Sequence, residues 1–190
     1  MKRTLIASLL VLAAALPASA QHFGLTGGWY LPYGTVKDYA NSGFDGGIVL
    51  QIGAPLVPVN FRIDATYGEL PGKTIDLGGG TSAKSDFTTY GASANIVWTI
   101  FGSTLPTKFY LIGGIGYYGV QQKYSVTGLP SIPSATKSAF GYNAGLGFRF
   151  TKFFIEARWT DITNGLETAS LGGTGSTSLQ VVPVNVGFIF

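Results

Sequence analysis

The sequence predicts an all-β fold, an eight-stranded antiparallel up-and-down transmembrane β-barrel over residues 21–190. Three observations predict it. Apolar residues recur with a period of two along eight segments. The segments between them alternate long and short without exception. Charged residues are only 11% of the chain, against about 25% in soluble proteins, yet no apolar run after residue 20 reaches the roughly 18 residues of a membrane helix.

The first twenty residues, MKRTLIASLLVLAAALPASA, read as a secretory signal peptide. Lys2 and Arg3 form its basic start, Leu5 to Leu16 an apolar stretch too short to span a bilayer, and Ala18-Ser19-Ala20 the cleavage site. No Cys follows the site and the chain has none, so neither a lipid anchor nor a disulfide framework is expected. Of 12 Lys and Arg against 9 Asp and Glu, two of the basic residues lie in the signal. The remainder is near balance, which argues against a nucleic-acid partner.

Strand by strand, Phe23, Leu25, Trp29 and Leu31 share one face, as do Phe44, Ile48, Leu50 and Ile52. Val59, Phe61, Ile63, Ala65 and Tyr67 alternate with Asn60, Arg62, Asp64, Thr66 and Gly68. Tyr90 to Ile100, Phe109 to Tyr117, Phe140 to Phe150, Phe153 to Trp159 and Val182 to Phe190 repeat the pattern. Each run is roughly nine to thirteen residues, enough to cross a bilayer as a tilted strand. The connections are GTVKDYANSG, the short APLVP, the long LPGKTIDLGGGTSAKS, the short GSTLP, the long KYSVTGLPSIPSATKS, Thr151-Lys152, and the long NGLETASLGGTGSTS. Long outer loops and short inner turns with an even strand count fit an outer-membrane barrel. The segments 69–85, 121–138 and 164–178, rich in Gly, Ser, Thr and Pro, read as exposed loops open to a surface ligand.

A soluble lipocalin-like binding barrel also alternates, and Gly27-Gly28-Trp29 matches an early G-x-W. The polar face argues for the membrane instead. It is mostly small, as in Gly91, Ser93, Asn95, Gly141, Asn143, Gly145 and Gly147, where a solvated surface would carry Lys and Glu. Its mid-strand charges come in balanced sets, Arg62 with Asp64 and Glu156 with Arg158, joined by Arg149 and Asp45. These six are expected to form an ion network in the lumen, since charges shut away from water need partners. Phe23, Trp98, Phe109, Phe148, Phe150, Phe153 and Phe188 lie near the turn end, and Trp29, Tyr67, Tyr90, Tyr117, Tyr142 and Trp159 near the loop end. Two aromatic girdles bracket an aliphatic middle that faces outer-membrane lipid.

The layout resembles the small single-domain outer-membrane β-barrel proteins, the outer-membrane protein beta-barrel domain family of the OmpA/OmpX-like group. The likeness runs through the mature chain and is most specific in FFIEARWTDI and the closing VVPVNVGFIF. It implies that the terminal strand, through Val186, Phe188 and Phe190, is a signal for the barrel-assembly machinery. The chain departs from full-length OmpA by stopping at the barrel, so no cell-wall tethering role is expected.

No catalytic, cofactor-binding or metal-binding residue is expected. Gly114-Ile115-Gly116-Tyr117-Tyr118-Gly119 fits G-x-G-x-x-G but falls inside a strand, where glycines make room for lumen side chains. Residues 78–85, GGGTSAKS, place Ala83 where a phosphate loop needs Gly. His22, the single His, falls at the inner rim, too far from the outer leaflet to serve lipid chemistry, and one His without Cys makes no metal site. The expected role is structural or interactive at the cell surface, with a narrow channel or small-ligand carrier as the alternative. The last strand should close on the first through Gly24 to Tyr30. Pro183 lacks an N–H, so a bulge or weak spot with one lost bond is expected in that closure.

Overall fold

The computed structural model describes residues 21–53, 57–79, 81–102, 106–127, 132–167 and 176–190; the signal-peptide reading lies outside them. The described residues form β1 Gln21–Pro32, β2 Gly43–Ile52, β3 Val59–Leu70, β4 Thr74–Gly78, β5 Thr81–Phe101, β6 Thr107–Val126, β7 Ile132–Phe150, β8 Phe153–Glu167 and β9 Ser176–Ile189. A short 3₁₀ helix, Gly34–Asp38, follows β1. All pairings are antiparallel in the order β3-β2-β1-β9-β8-β7-β6-β5-β4, and β3 also pairs with β5. That last ladder, from Val59↔Trp98 to Leu70↔Phe87, closes an eight-stranded ring. β4 stands outside the ring, on the edge of β5.

The side-chain pattern is that of a soluble protein turned inside out. Leu25, Phe61, Ile96, Ile115 and Leu146 are exposed on the outer wall, Leu146 at 64%. Arg62, Asp64, Asn95, Asn143 and Glu156 are buried inside it. An apolar outer wall is stable only against hydrocarbon. The girdles are built from edge-on ring pairs. Phe109–Phe148 and Phe153–Phe188 lie at the turn end, and Tyr117–Phe140 and Tyr142–Trp159 at the loop end, with centroids 4.9–5.5 Å apart.

The pattern reverses as the strands leave the loop-end girdle. There Leu70, Phe87, Val120, Ile162, Leu179 and Val181 point inward and are buried with Tyr30 and Tyr118. Outside, Lys84 pairs with Asp86 at 2.9 Å. The 3₁₀ helix inserts Val36 into the same cluster. Water now surrounds the wall, so the apolar row must face in. Of the segments expected as loops, 69–85 and 121–138 are therefore largely strand, and 164–178 is strand at 164–167 and 176–178, its residues 168–175 lying outside the described ones. β5, β6 and β7 run 21, 20 and 19 residues, about twice the 9–11 that a bilayer requires. Ser, Thr and Gly composition did not bar pairing, because a strand in water needs no lipid-facing row. Since β7 pairs with β8 only over Gly141–Phe150, Ile132–Phe140 project beyond β8 while still paired with β6, and through it with β5 and β4, in the same sheet.

The closure is regular through Pro183. β1 and β9 pair without a break from Gly24↔Ile189 to Pro32↔Val181. Phe190 N–H donates to Phe23 O at 2.7 Å, and Tyr33 N–H to Gln180 O at 2.9 Å. Bonded pairs alternate along an antiparallel ladder, so even-numbered residues of β9 bond to β1 and odd-numbered ones to β8. The missing N–H of Pro183 thus faces β8, and that ladder loses Arg158/Pro183 and Trp159/Val182 while keeping its register on either side. The weak spot lies one strand away from the expected seam, and no bulge accompanies it.

Candidate functional site: the lumen and the projection

Four side chains meet in the middle of the lumen. Arg62 comes from β3; Glu156 and Arg158 come from β8, on the opposite wall. Arg62 Nε lies 2.7 Å from Asp64 Oδ1 and its Nη1 2.8 Å from Glu156 Oε2. Arg158 Nη1 lies 2.6 Å from Asp64 Oδ2, and its Nε pairs with Glu156 Oε1. Each carboxylate bridges both guanidiniums. Desolvating such ions costs several kcal/mol apiece unless every lone pair finds a donor. Here Tyr110 Oη donates to Glu156 Oε2 at 2.8 Å, and Asn95 Nδ2 to Asp64 Oδ2 at 3.1 Å. Asn143 Nδ2 donates in turn to Asn95 Oδ1 at 2.9 Å. The Arg62 guanidinium also lies 5.0 Å from the centroid of the Phe154 ring.

Of the six charged residues expected together, the structure brings four to one place. Asp45 stands apart, its Oδ2 accepting from Asn185 Nδ2 at 2.9 Å. Arg149 turns to the β7–β8 turn, where its Nε donates to Thr151 O at 2.8 Å. Sequence reasoning missed Tyr110, although the strict alternation of Phe109 and Leu111 outward leaves it facing in. The glycine motif of β6 lies mid-strand. A Cβ on Gly114 would come 2.3 Å from Asn95 Oδ1, and one on Gly116 2.6 Å from the Tyr118 ring. His22 sits at the turn end of β1, opposite Gln51.

Apolar groups bound the quartet on both sides. Val49, Phe154 and Ile189, with Val97 and Ile112, fill the turn end. The cluster around Tyr30, Phe87 and Tyr118 fills the loop end. Eight strands leave an interior that side chains can largely fill, and these clusters close it at both ends. At the rim, Phe190 packs on Phe188 with centroids 5.2 Å apart and on Phe23 at 6.4 Å. Val186 and Phe190 are exposed on the outer wall. Among the described residues no group of three or more His, Asp or Glu is placed to hold a metal ion.

Comparison with solved structures finds the same architecture at low identity. Neisserial surface protein A matches with a TM-score of 0.60 at 13% identity, over 92% of this chain and 100% of that one. The attachment invasion locus protein Ail of Yersinia pestis, in complex with the heparin analogue sucrose octasulfate, matches at 0.53 and 15%, over 90% and 99%. A major outer membrane protein of Thermus thermophilus matches at 0.53 and 12%, over 90% and 100%. Comparison with curated proteins yields no match. The family model described as outer membrane protein beta-barrel domain matches residues 4–190. An outer wall fit for lipid, a polar and filled lumen, and that match lead to one conclusion: the chain belongs to the outer membrane protein beta-barrel domain family and resides in the bacterial outer membrane.

Proposed function

We propose that the barrel is an anchor and that its work is done at the cell surface by the projecting strands. One observation carries this reading. β5, β6 and β7 continue for several residues past the loop-end girdle, and their Phe87, Tyr118, Val120 and Ala139 join residues of β1, β3, β8, β9 and the 3₁₀ helix in one apolar cluster at that end. A barrel needed only to span the membrane could end in short flexible loops, which avoid the ordering cost of roughly 1–2 kcal/mol per fixed residue. A stiff sheet with a polar outer surface holds a binding face in one orientation, which lowers the cost of association. The outer charges alternate in sign, Lys84 with Asp86 and Lys123 opposite Asp86. That favours a partner of mixed polarity over a polyanion of the sort bound to Ail. The Arg62–Asp64–Glu156–Arg158 quartet serves as a rigid crosspiece rather than a path. Val186, Phe188 and Phe190 serve as the assembly signal. No catalytic role is assigned.

Photo-crosslinkers at Ser82 and Lys123, compared in intact cells with one at Lys152, test the reading. Adducts confined to the first two positions support it. Equal adducts, or none, overturn it.

A further inference from the structure

Between the ion quartet and the outer apolar cluster the lumen holds a cavity of about 40 Å³, whose lining includes Asp45, Thr66, Glu156, Arg158, Thr160 and Asn185. One water needs roughly 10–15 Å³, so the cavity takes a few water-sized occupants. Two oxygens of its wall residues have no donor, Asp45 Oδ1 and Asn185 Oδ1. Both residues are only 7% exposed. The amide cannot simply turn over, because its Nδ2 is already committed to Asp45 Oδ2. The pair meets across β1 because Gly28, opposite both residues, has no side chain. A Cβ there would come 2.4 Å from Asn185 Oδ1.

The charge of this chamber does not close. Arg62 and Arg158 are matched by Asp64 and Glu156, each bridging to the other pair. Asp45 adds a further carboxylate, and the side chain bonded to it is a neutral amide. Arg158 borders the cavity and its charge reaches Asp45, but its Nε and Nη1 are committed to Glu156 and Asp64, so it is shared among three carboxylates. Water can donate to the two oxygens but cannot neutralise the charge, and an unneutralised charge away from bulk water is costly.

We propose that this cavity is a monovalent cation site, sized for Na⁺ or K⁺. Asp45 Oδ1 and Asn185 Oδ1 are its protein ligands, and Thr66 or Thr160 hydroxyls and waters complete the shell. An all-oxygen shell suits hard cations. A single surplus negative charge matches a single positive one, and a divalent ion would reverse the imbalance rather than cancel it.

The test refolds the barrel in detergent micelles and follows its urea midpoint in NaCl, KCl or choline chloride at equal ionic strength. Choline is too large for the cavity. The wild-type midpoint is expected to rise saturably with Na⁺ or K⁺ over choline, the unfolding constant falling about 11-fold at an ion concentration ten times Kd. Asp45→Asn should fold and lose that difference. Equal midpoints in all three salts, or an unchanged difference in D45N, overturn the proposal. Should D45N fail to fold, wild-type crystals in RbCl decide. An anomalous peak within coordination distance of Asp45 Oδ1 and Asn185 Oδ1 supports the site; water alone, or a protonated Asp45 seen by its carboxylic-acid infrared band, overturns it.

Discussion

Arg62 and Glu156 lie on strands that do not pair, β3 and β8, yet their side chains meet at 2.8 Å across the lumen. The contact ties opposite walls of the ring, and both residues are 2% exposed. Arg62→Ala strands Asp64 and Glu156 with one guanidinium between them. Breaking a buried pair this way costs about 3–5 kcal/mol. A paired replacement, Arg62→Met with Glu156→Met, keeps the Asp64–Arg158 contact and should cost less than R62A. Urea unfolding in lipid vesicles, followed by tryptophan fluorescence, measures both. A double variant as unstable as R62A would contradict the crosspiece.

The facing of β1 is tested by adjacent glycines. A Cβ on Gly28 would lie 2.1 Å from Val184 O, backbone that must move, whereas one on Gly27 has its nearest neighbour 3.6 Å away. Gly28→Ala is therefore expected to abolish or slow formation of the compact, heat-modifiable form. Gly27→Ala should fold as the parent does. Gel mobility of unheated samples after refolding reads the difference.

Phe87 is 1% exposed in the outer cluster. Removing such a ring from a packed core costs about 3–5 kcal/mol, and here the loss falls on the apolar cluster beyond the loop-end girdle, outside the membrane-spanning part of the barrel. Phe87→Ala should leave heat-modifiable mobility intact and make the segments beyond the outer girdle susceptible to protease added to intact cells. Protection equal to the wild type would mean that the cluster does not stiffen the projection.

Pro183 leaves Arg158 without a ladder donor on the β9 side, in the stretch where the β8–β9 pairs are lost. The donor lost is the one to the Arg158 carbonyl, and with the Arg158/Pro183 and Trp159/Val182 pairs missing the ladder opens more readily there, so in micelles the Arg158 amide should exchange with deuterium faster than those of Glu156 and Thr160, whose ladder pairs with Asn185 and Val181 are intact. NMR exchange rates provide the check. Equal protection at all three would contradict the gap.

The membrane-spanning part is legible in the sequence because lipid imposes the period of two on every strand, as in Phe61, Ile63 and Ala65 against Arg62 and Asp64. The projection is not. Beyond the girdle the apolar row passes from the outside to the inside, at Phe87 on β5 and at Leu179 and Val181 on β9, so the alternation changes sense and the polar outer row reads as loop. Lumen partners are legible only in part. Alternation assigns Arg62, Arg149 and Asp45 all to the inside, but which of them meet depends on stagger between strands far apart in sequence. That stagger carries Arg149 to the turn and leaves Asp45 with Asn185. Pro183 announces a missing donor in any sequence, but the strand it fails depends on ladder parity, which needs the register.

The proposal that the lumen is closed and the work is done at the surface is tested most directly by single-channel recording in planar bilayers. The wild-type barrel is expected to give no conductance steps above baseline, at either polarity, from protein that unheated gels show to be folded. Reproducible long-lived steps from the folded wild type, lost when Arg62 and Arg158 are replaced by Ala, would contradict it and make the quartet part of a path for ions.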